Sequence, residues 1–493
     1  MNTIAKKKSC KRILWFSLSA ILVLLLISAI PLKRTLDKRK VNKRIAELRE
    51  LGYPMSAKEV NDAYQALMPI DNGAHLILAA AEIDDGWKDK NHPRHLDSHY
   101  NIINPPKEDD TKTDAFLKME GMAELKMALD AFGDSSTYPD DWKIQNFKLL
   151  PYIGDMGDDY FVKHDLSKEQ LKFCRDYIKE NTECFELLSK GLAKKCFYEV
   201  DYSQGYFTEE TFLAPIRKLS KKLTLKVLVE SYNNNIDLAI NDIDNIFKLA
   251  QTLNHQPTLI GQCVRNAIGR LGCTSVENLI NICEPNDIQL NKLQNILSDT
   301  SNDIPNINVA LNGERACGLD AMNDKQLIHK WHDGANWKLS VYQALYMYND
   351  QIRYINAFQQ LVEDNSLDGF DYLNNLPRIK TIYSGLITPA LGRAFVLRAR
   401  CETMTEYAIT ALAVERYRLA NSKLPETLQE LVDNNYITNI PKQPCSDKDC
   451  GYTINSSTSY EIYHFGDNKK DDGGIYDYKD RNNPDDQGIR IKR

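Results

Sequence analysis

The chain has 493 residues, 43% of them apolar, with 62 basic and 68 acidic side chains for a net charge of −6. That length sets a prior of about three domains and leaves room for a sizeable core. The near balance of charge excludes recognition of nucleic acid through a generally basic surface.

The first twelve residues carry Lys6, Lys7, Lys8, Lys11 and Arg12 and no acid. Residues 13–32 then run for twenty positions without a charge. As a helix this stretch covers about 30 Å, the thickness of the hydrocarbon core of a bilayer. A cleaved signal peptide has a shorter apolar core and a small-residue exit. Ser28-Ala29-Ile30-Pro31 is a poor exit, so the stretch reads as an uncleaved transmembrane anchor, with cleavage as the alternative. Lys33, Arg34, Lys38, Arg39, Lys40, Lys43 and Arg44 make the far flank basic too, and the positive-inside rule does not settle orientation. A short N-terminal tail favours translocation of the large body. The expectation is a single-pass protein of a bacterial inner membrane with an extracytoplasmic body.

Residues 33–112 read as a membrane-proximal helical segment followed by a loop. The basic side of 33–50 is read first as a solvated helix face and second as a contact for lipid headgroups. Ser56 and Glu59 have capping-box spacing, so a helix should begin there and stop before Pro69. Another should run from Asn72 to Glu82, and residues 83–112 read as a polar loop. From 113 to 400 apolar residues recur at steps of three and four, for example Leu171, Cys174 and Ile178, then Phe185, Leu188 and Leu192. This predicts an all-α body. No fixed repeat period emerges.

Candidate chemistry in the body is sparse. His92, His95 and His99 lie in a proline-broken loop, without a zinc pattern. His329 and His332, with Asp333 beside them, could share a helix face, but no third ligand is evident. Glu199, Asp201, Glu209 and Glu210 surround an aromatic stretch and could do acid–base work if a second element positioned them. Nucleophile-elbow, Walker and dinucleotide motifs are absent from the sequence. Eleven cysteines leave ten beyond Cys10. In an exported body these could form disulfides, and they fit small buried hydrophobes at least as well.

Residues 401–493 read as a small α+β module: a helix over 402–420, a second helix opened by Pro425, and a short antiparallel hairpin of 452–454 with 460–465. An acidic glycine loop follows, with Asp467, Asn468, Asp471 and Asp472 ahead of Gly473-Gly474. Calcium takes six to eight oxygen ligands, and glycines let a loop fold around it. The alternative is a flexible acidic tail.

The order Arg416-Tyr417-Arg418-Leu419, Leu424-Pro425-Glu426-Thr427-Leu428, Tyr436-Ile437, Pro441, Pro444, Tyr452, Tyr463 and Gly466 to Gly474 resembles the C-terminal half of the major pseudopilin of type II secretion. It is also similar to a group of uncharacterised bacterial envelope proteins with an N-terminal anchor, a helical body and this tail. Residues 53–64, 72–80, Arg315 and Gly318 share that similarity. The resemblance implies calcium at Asp467, Asn468, Asp471 and Asp472. Three departures qualify it. Asn468 stands where aspartate is expected, Cys445 and Cys450 bracket the turn after Pro444, and the N-terminus lacks a prepilin cleavage site. Cys445 and Cys450 would staple the turn as a disulfide in an oxidising compartment, or remain free thiols in the cytoplasm. The reading that follows is a mainly α, membrane-anchored interaction protein that is not an enzyme and has an unknown envelope partner. The alternatives are a hydrolase or metalloenzyme built on the histidine and carboxylate clusters, and an accessory factor of a secretion or pilus-like system.

Overall fold

The computed structural model describes residues 31–83, 166, 168–303, 307–324, 342, 345–363, 384–444, 448–466, 470–475 and 486–493. Residues 13–30 of the expected span, the loop histidines and most of the stretch from 325 to 346 lie outside these. Among the described residues no helix is long and apolar enough to cross a membrane.

The described chain is mainly helical. Helix α1 covers residues 31–50. It is followed by α2 (Ala57–Gln65), α3 (Ala74–Glu82), α4 (Lys168–Glu180) and α5 (Thr182–Leu192). A 3₁₀ turn over Tyr202–Phe207 leads to α6 (Leu213–Tyr232), α7 (Ile236–Gln251), α8 (Leu259–Ile282), α9 (Asp287–Asn302) and α10 (Asn308–Asn323). Helices α11 (Met347–Glu363), α12 (Ser384–Asn421) and the short α13 (Gln429–Asp433) complete the set. Helix α2 begins at Ser56, whose hydroxyl accepts from the Glu59 amide at 3.3 Å. The other half of the expected capping box is displaced. Glu59 reaches back to the Met55 amide (2.8 Å) through one oxygen, and Arg49, at the end of α1, holds the other at 2.7 Å.

Helix α12 organises the packing. Its buried Leu391, Ala394 and Phe395 join α1, α10 and α11 in one apolar cluster. Its later residues Tyr407, Ala411, Leu412 and Tyr417 belong to a larger cluster with α6, α7, α8, α9 and the sheet. Residue 401 thus falls inside one continuous helix that serves both clusters.

The sheet has three antiparallel strands in the order β1 (Gly451–Ile454), β2 (Tyr460–His464) and β3 (Gln487–Ile491). The hairpin agrees with the sequence reading. The third strand comes from the acidic tail and pairs with β2 from Tyr460↔Ile491 to His464↔Gln487. It supplies what a two-stranded hairpin lacks for stability. Ile489 and Ile491 are fully buried, and the Tyr460 hydroxyl donates to the Ala411 carbonyl on α12 at 3.0 Å.

The outer edge of β3 is closed by side chains of α8. Glu277 accepts from the Arg490 amide (3.0 Å), while Asn281 donates to the Arg490 carbonyl (2.9 Å) and accepts from the Lys492 amide (2.7 Å). An edge strand would otherwise offer unpaired backbone to another chain. Arg493 completes the fastening, with Nε on the Ile280 carbonyl (2.6 Å) and Nη1 3.2 Å from the buried Glu415.

Candidate functional site

Two places gather polar groups. The first is the C-terminal glycine loop. Gly473 and Gly474 have φ of 71° and 80°, the left-handed conformation that glycine permits without strain. Asp471 Oδ1 accepts from the Tyr463 hydroxyl and from the Gly473 amide, both at 3.0 Å. The turn is held from inside by Asp486, whose Oδ2 accepts from the amides of Asp472 (2.8 Å) and Gly474 (2.9 Å). Burial pushes the Asp486 carboxyl up to about 6. Arg490 donates to the carbonyls of Gly474 (2.9 Å) and Asp486 (3.1 Å) and lies 3.3 Å from Glu461.

Asp471 and Asp472 offer hard oxygen donors of the kind calcium takes. Asp467 and Asn468 lie outside the described residues. Among the described residues no three His, Cys, Asp or Glu side chains form a metal-binding group. Asp486 escaped the sequence reading because it sits fifteen positions after Asp471, beyond any local motif. Cys450 is a half-buried free thiol, and Cys445 lies outside the described residues.

The second place lies at the N-terminus of α8, on the seam between the two apolar clusters. Thr258 caps the helix by accepting from the Gly261 amide (3.2 Å) and donates to the carboxylate of Glu210 at 2.9 Å. The Tyr202 hydroxyl sits against Glu210 Oε1 (2.9 Å) and the Gln256 side-chain carbonyl. Gln256 donates to the Tyr64 hydroxyl (3.0 Å), which donates to the Tyr198 carbonyl (2.9 Å). From α10, Glu314 accepts from the Leu259 amide at 3.0 Å, and its own carbonyl accepts from the Tyr354 hydroxyl at 2.9 Å. Two carboxylates therefore meet the positive end of α8, where unpaired amides favour negative charge. Burial nonetheless raises the Glu314 carboxyl, pushes the Tyr64 hydroxyl up to about 12 and holds Tyr202 far above its ordinary range.

Close approach makes this arrangement possible. A Cβ on Gly318 would lie 2.0 Å from the Tyr354 hydroxyl, and one on Gly313 would lie 1.8 Å from the Pro257 carbonyl. Arg315 extends to the other side of α10. It is fully buried and bonds Gln359 (2.6 Å) and Asn312 (2.8 Å), with its guanidinium over the Tyr53 ring. Desolvation pulls it down to about 10.

The four carboxylates singled out around the aromatic stretch therefore separate. Glu210 enters the network, while Glu199, Asp201 and Glu209 are exposed. Asp201 caps the 3₁₀ turn through the Ser203 amide (3.0 Å), and the hydrogen bonds from Ser203 and Gln204 hold its carboxyl below the usual range. His92, His95, His99, His329, His332 and Asp333 lie outside the described residues. No local pattern marks Gln256, Thr258, Glu314 or Tyr354 as members of the same network as Glu210. They come from three separate segments, the approach to α8, α10 and α11.

Chemically, the network ties α2, the 3₁₀ turn, α8 and α10 together through hydrogen bonds to two carboxylates. Two open surface grooves, of about 400 and 470 Å³, are lined by Arg44, Asn356, Gln359 and Glu363 and by Arg175, Glu186, Lys226 and Asn233 respectively. Neither reaches Glu210 or Glu314. Comparison of the chain with protein-family models, with curated proteins and with solved structures gives no match.

Proposed function

We propose that the chain is a membrane-anchored interaction protein of the bacterial envelope, held by residues 13–32, with a rigid extracytoplasmic body that is not an enzyme. One observation carries the non-catalytic part. Three carboxylates inside the body are spent as fasteners: the half-buried Glu210 and Glu314 on the start of α8 and the buried Glu277 on β3. A body of this kind presents a fixed surface to a partner. The address rests on the uncharged run of residues 13–32 and on the resemblance of residues 411–474 to a pseudopilin. In the same reading calcium, bound by Asp467, Asn468, Asp471 and Asp472, braces the tip beside the sheet.

The experiment is complementation of a deletion strain with Glu210→Gln and Glu314→Gln, each checked for parental abundance. Variants that fold to parental level should complement. A folded variant that fails would move these carboxylates from fastening to chemistry. Orientation is tested on right-side-out spheroplasts. External protease should digest the body before lysis, and protection until lysis would place the body inside.

A further inference from the structure

We infer that the end of the body formed by the start of α1 and the approach to α11 docks onto anionic phospholipid, so that the body stands on the bilayer instead of hanging from a loose stalk. The inference rests on the anchor reading of residues 13–32 and extends it to a second point of contact.

The argument begins with charge. Between 33 and 44 the chain carries seven cations, Lys33, Arg34, Lys38, Arg39, Lys40, Lys43 and Arg44, against the single acid Asp37. Asp37 pairs with Lys40 at 3.2 Å, and Glu47 lies 3.2 Å from Arg44 and 3.9 Å from Lys43. Among the described residues no carboxylate pairs with Lys33, Arg34, Lys38 or Arg39. These four lie within the first nine residues of the described helix, which at 1.5 Å per residue keeps them within roughly 13 Å of its start. The headgroup layer of one leaflet is about 5–8 Å thick. The unpaired cations therefore fall in the headgroup layer and just above it.

A solvated basic helix would satisfy those facts alone. The fold adds aromatic and apolar groups at the same level. Lys33 Nζ lies 5.6 Å from the centre of the Tyr346 ring and the Arg34 guanidinium 5.8 Å from that of Tyr348. Tyr342 stacks on Tyr346, which is half exposed, and Leu32 and Leu36 are exposed beside the cations at 63% and 48%. Tyrosine with lysine and arginine is the composition of a membrane interface, where an amphipathic ring sits among headgroups. The exposed Leu32, Leu36 and Tyr346 at the foot of a basic helix cost free energy in water and recover it at such a surface. The footing is tied to the body, because Val41 and Leu48 of α1 share one apolar cluster with Tyr354, Phe358 and Leu361 of α11 and Arg44 donates to Asn356 at 3.3 Å. The complementary partner is an anionic lipid headgroup.

The test uses the full chain in lipid nanodiscs carrying a nitroxide quencher near the headgroups, with parent emission subtracted. The reporter is Tyr346→Trp. The control is Ile288→Trp, an exposed position at the start of α9, where Asp287 pairs with Arg416 (2.8 Å). Arg416 lies twenty-one residues along α12 from Phe395, which puts the control about 30 Å from the cluster that holds α1. Tyr346→Trp should be quenched in discs containing phosphatidylglycerol and Ile288→Trp should not. Quenching should be lost with phosphatidylcholine alone, at high salt, and when Lys33→Glu and Arg34→Glu are added. Quenching at 346 no greater than at 288, or indifferent to lipid charge and to the charge reversals, overturns the footing while leaving the anchor intact. A chain that does not enter the discs overturns both.

Discussion

Glu277 joins the helical body to the last strand and offers a test with a defined sign. Its carboxyl is buried on α8 and accepts from the Arg490 amide at 3.0 Å. Burial, partly offset by that hydrogen bond and by Arg490 and Lys492, raises it from 4.5 to about 7. The folded state therefore holds this proton more tightly than the unfolded chain does. The group costs nothing below pH 4.5. Its penalty grows as pH rises from 4.5 to about 7 and is constant above. At about 1.4 kcal/mol per pH unit, the full penalty is about 3 kcal/mol. Glu277→Gln keeps a carbonyl oxygen for the Arg490 amide and carries no charge. Its amide adds an offset that does not vary with pH, so the informative quantity is the gap between variant and parent at two pH values. For a chain of this size the unfolding entropy is about 1 kcal/mol per degree, and the gap should grow in favour of the variant by about 3 °C between pH 4.5 and 8. Thermal melts of both full chains followed by circular dichroism give the result. A gap that stays constant across this range would refute the reasoning.

Three further outcomes are expected. Gly318→Ala places a Cβ against the Tyr354 hydroxyl and should destabilise by about 2 kcal/mol, the ordinary cost of overpacking, read as a lower Tm. Cys174, Cys184, Cys196, Cys263, Cys273, Cys283, Cys317 and Cys401 are buried free thiols, and burial pushes Cys174 and Cys273 up to about 12. They should resist a thiol reagent at pH 8 until denaturant is added, and rapid native labelling of Cys445 together with Cys450 would rule out a disulfide between them. Calcium at a hundred times its dissociation constant should stabilise the chain by about 2.7 kcal/mol over a chelator, and an unchanged Tm would remove calcium from the account.

What was legible in the sequence was what repeats locally. Helices α4 to α8 follow from apolar residues at steps of three and four, and the β1–β2 hairpin from alternating tyrosine and isoleucine around Asn455-Ser456-Ser457. Two kinds of feature were hidden. Strand β3 is five residues long in an aspartate-rich tail, and only its pairing with the distant β2 and its fit against Glu277 and Asn281 of α8 make it a strand. The network at the start of α8 draws Tyr64, Tyr202, Glu210, Gln256 and Glu314 from separate parts of the chain, with Tyr64 and Gln256 192 positions apart. Its one local trace was the pair of glycines 313 and 318, whose use is visible only once Pro257 and Tyr354 lie against them. The second half of the Ser56 capping box lands one residue early, on the Met55 amide, while Arg49 of another helix pairs with the other oxygen of Glu59.

Alkaline-carbonate extraction of membranes from cells expressing the full chain, beside the same chain lacking residues 1–32, bears most directly on the central claim of an anchored envelope protein. The full chain should remain in the membrane pellet and the shortened chain should move to the supernatant. Release of the full chain by carbonate would contradict the account.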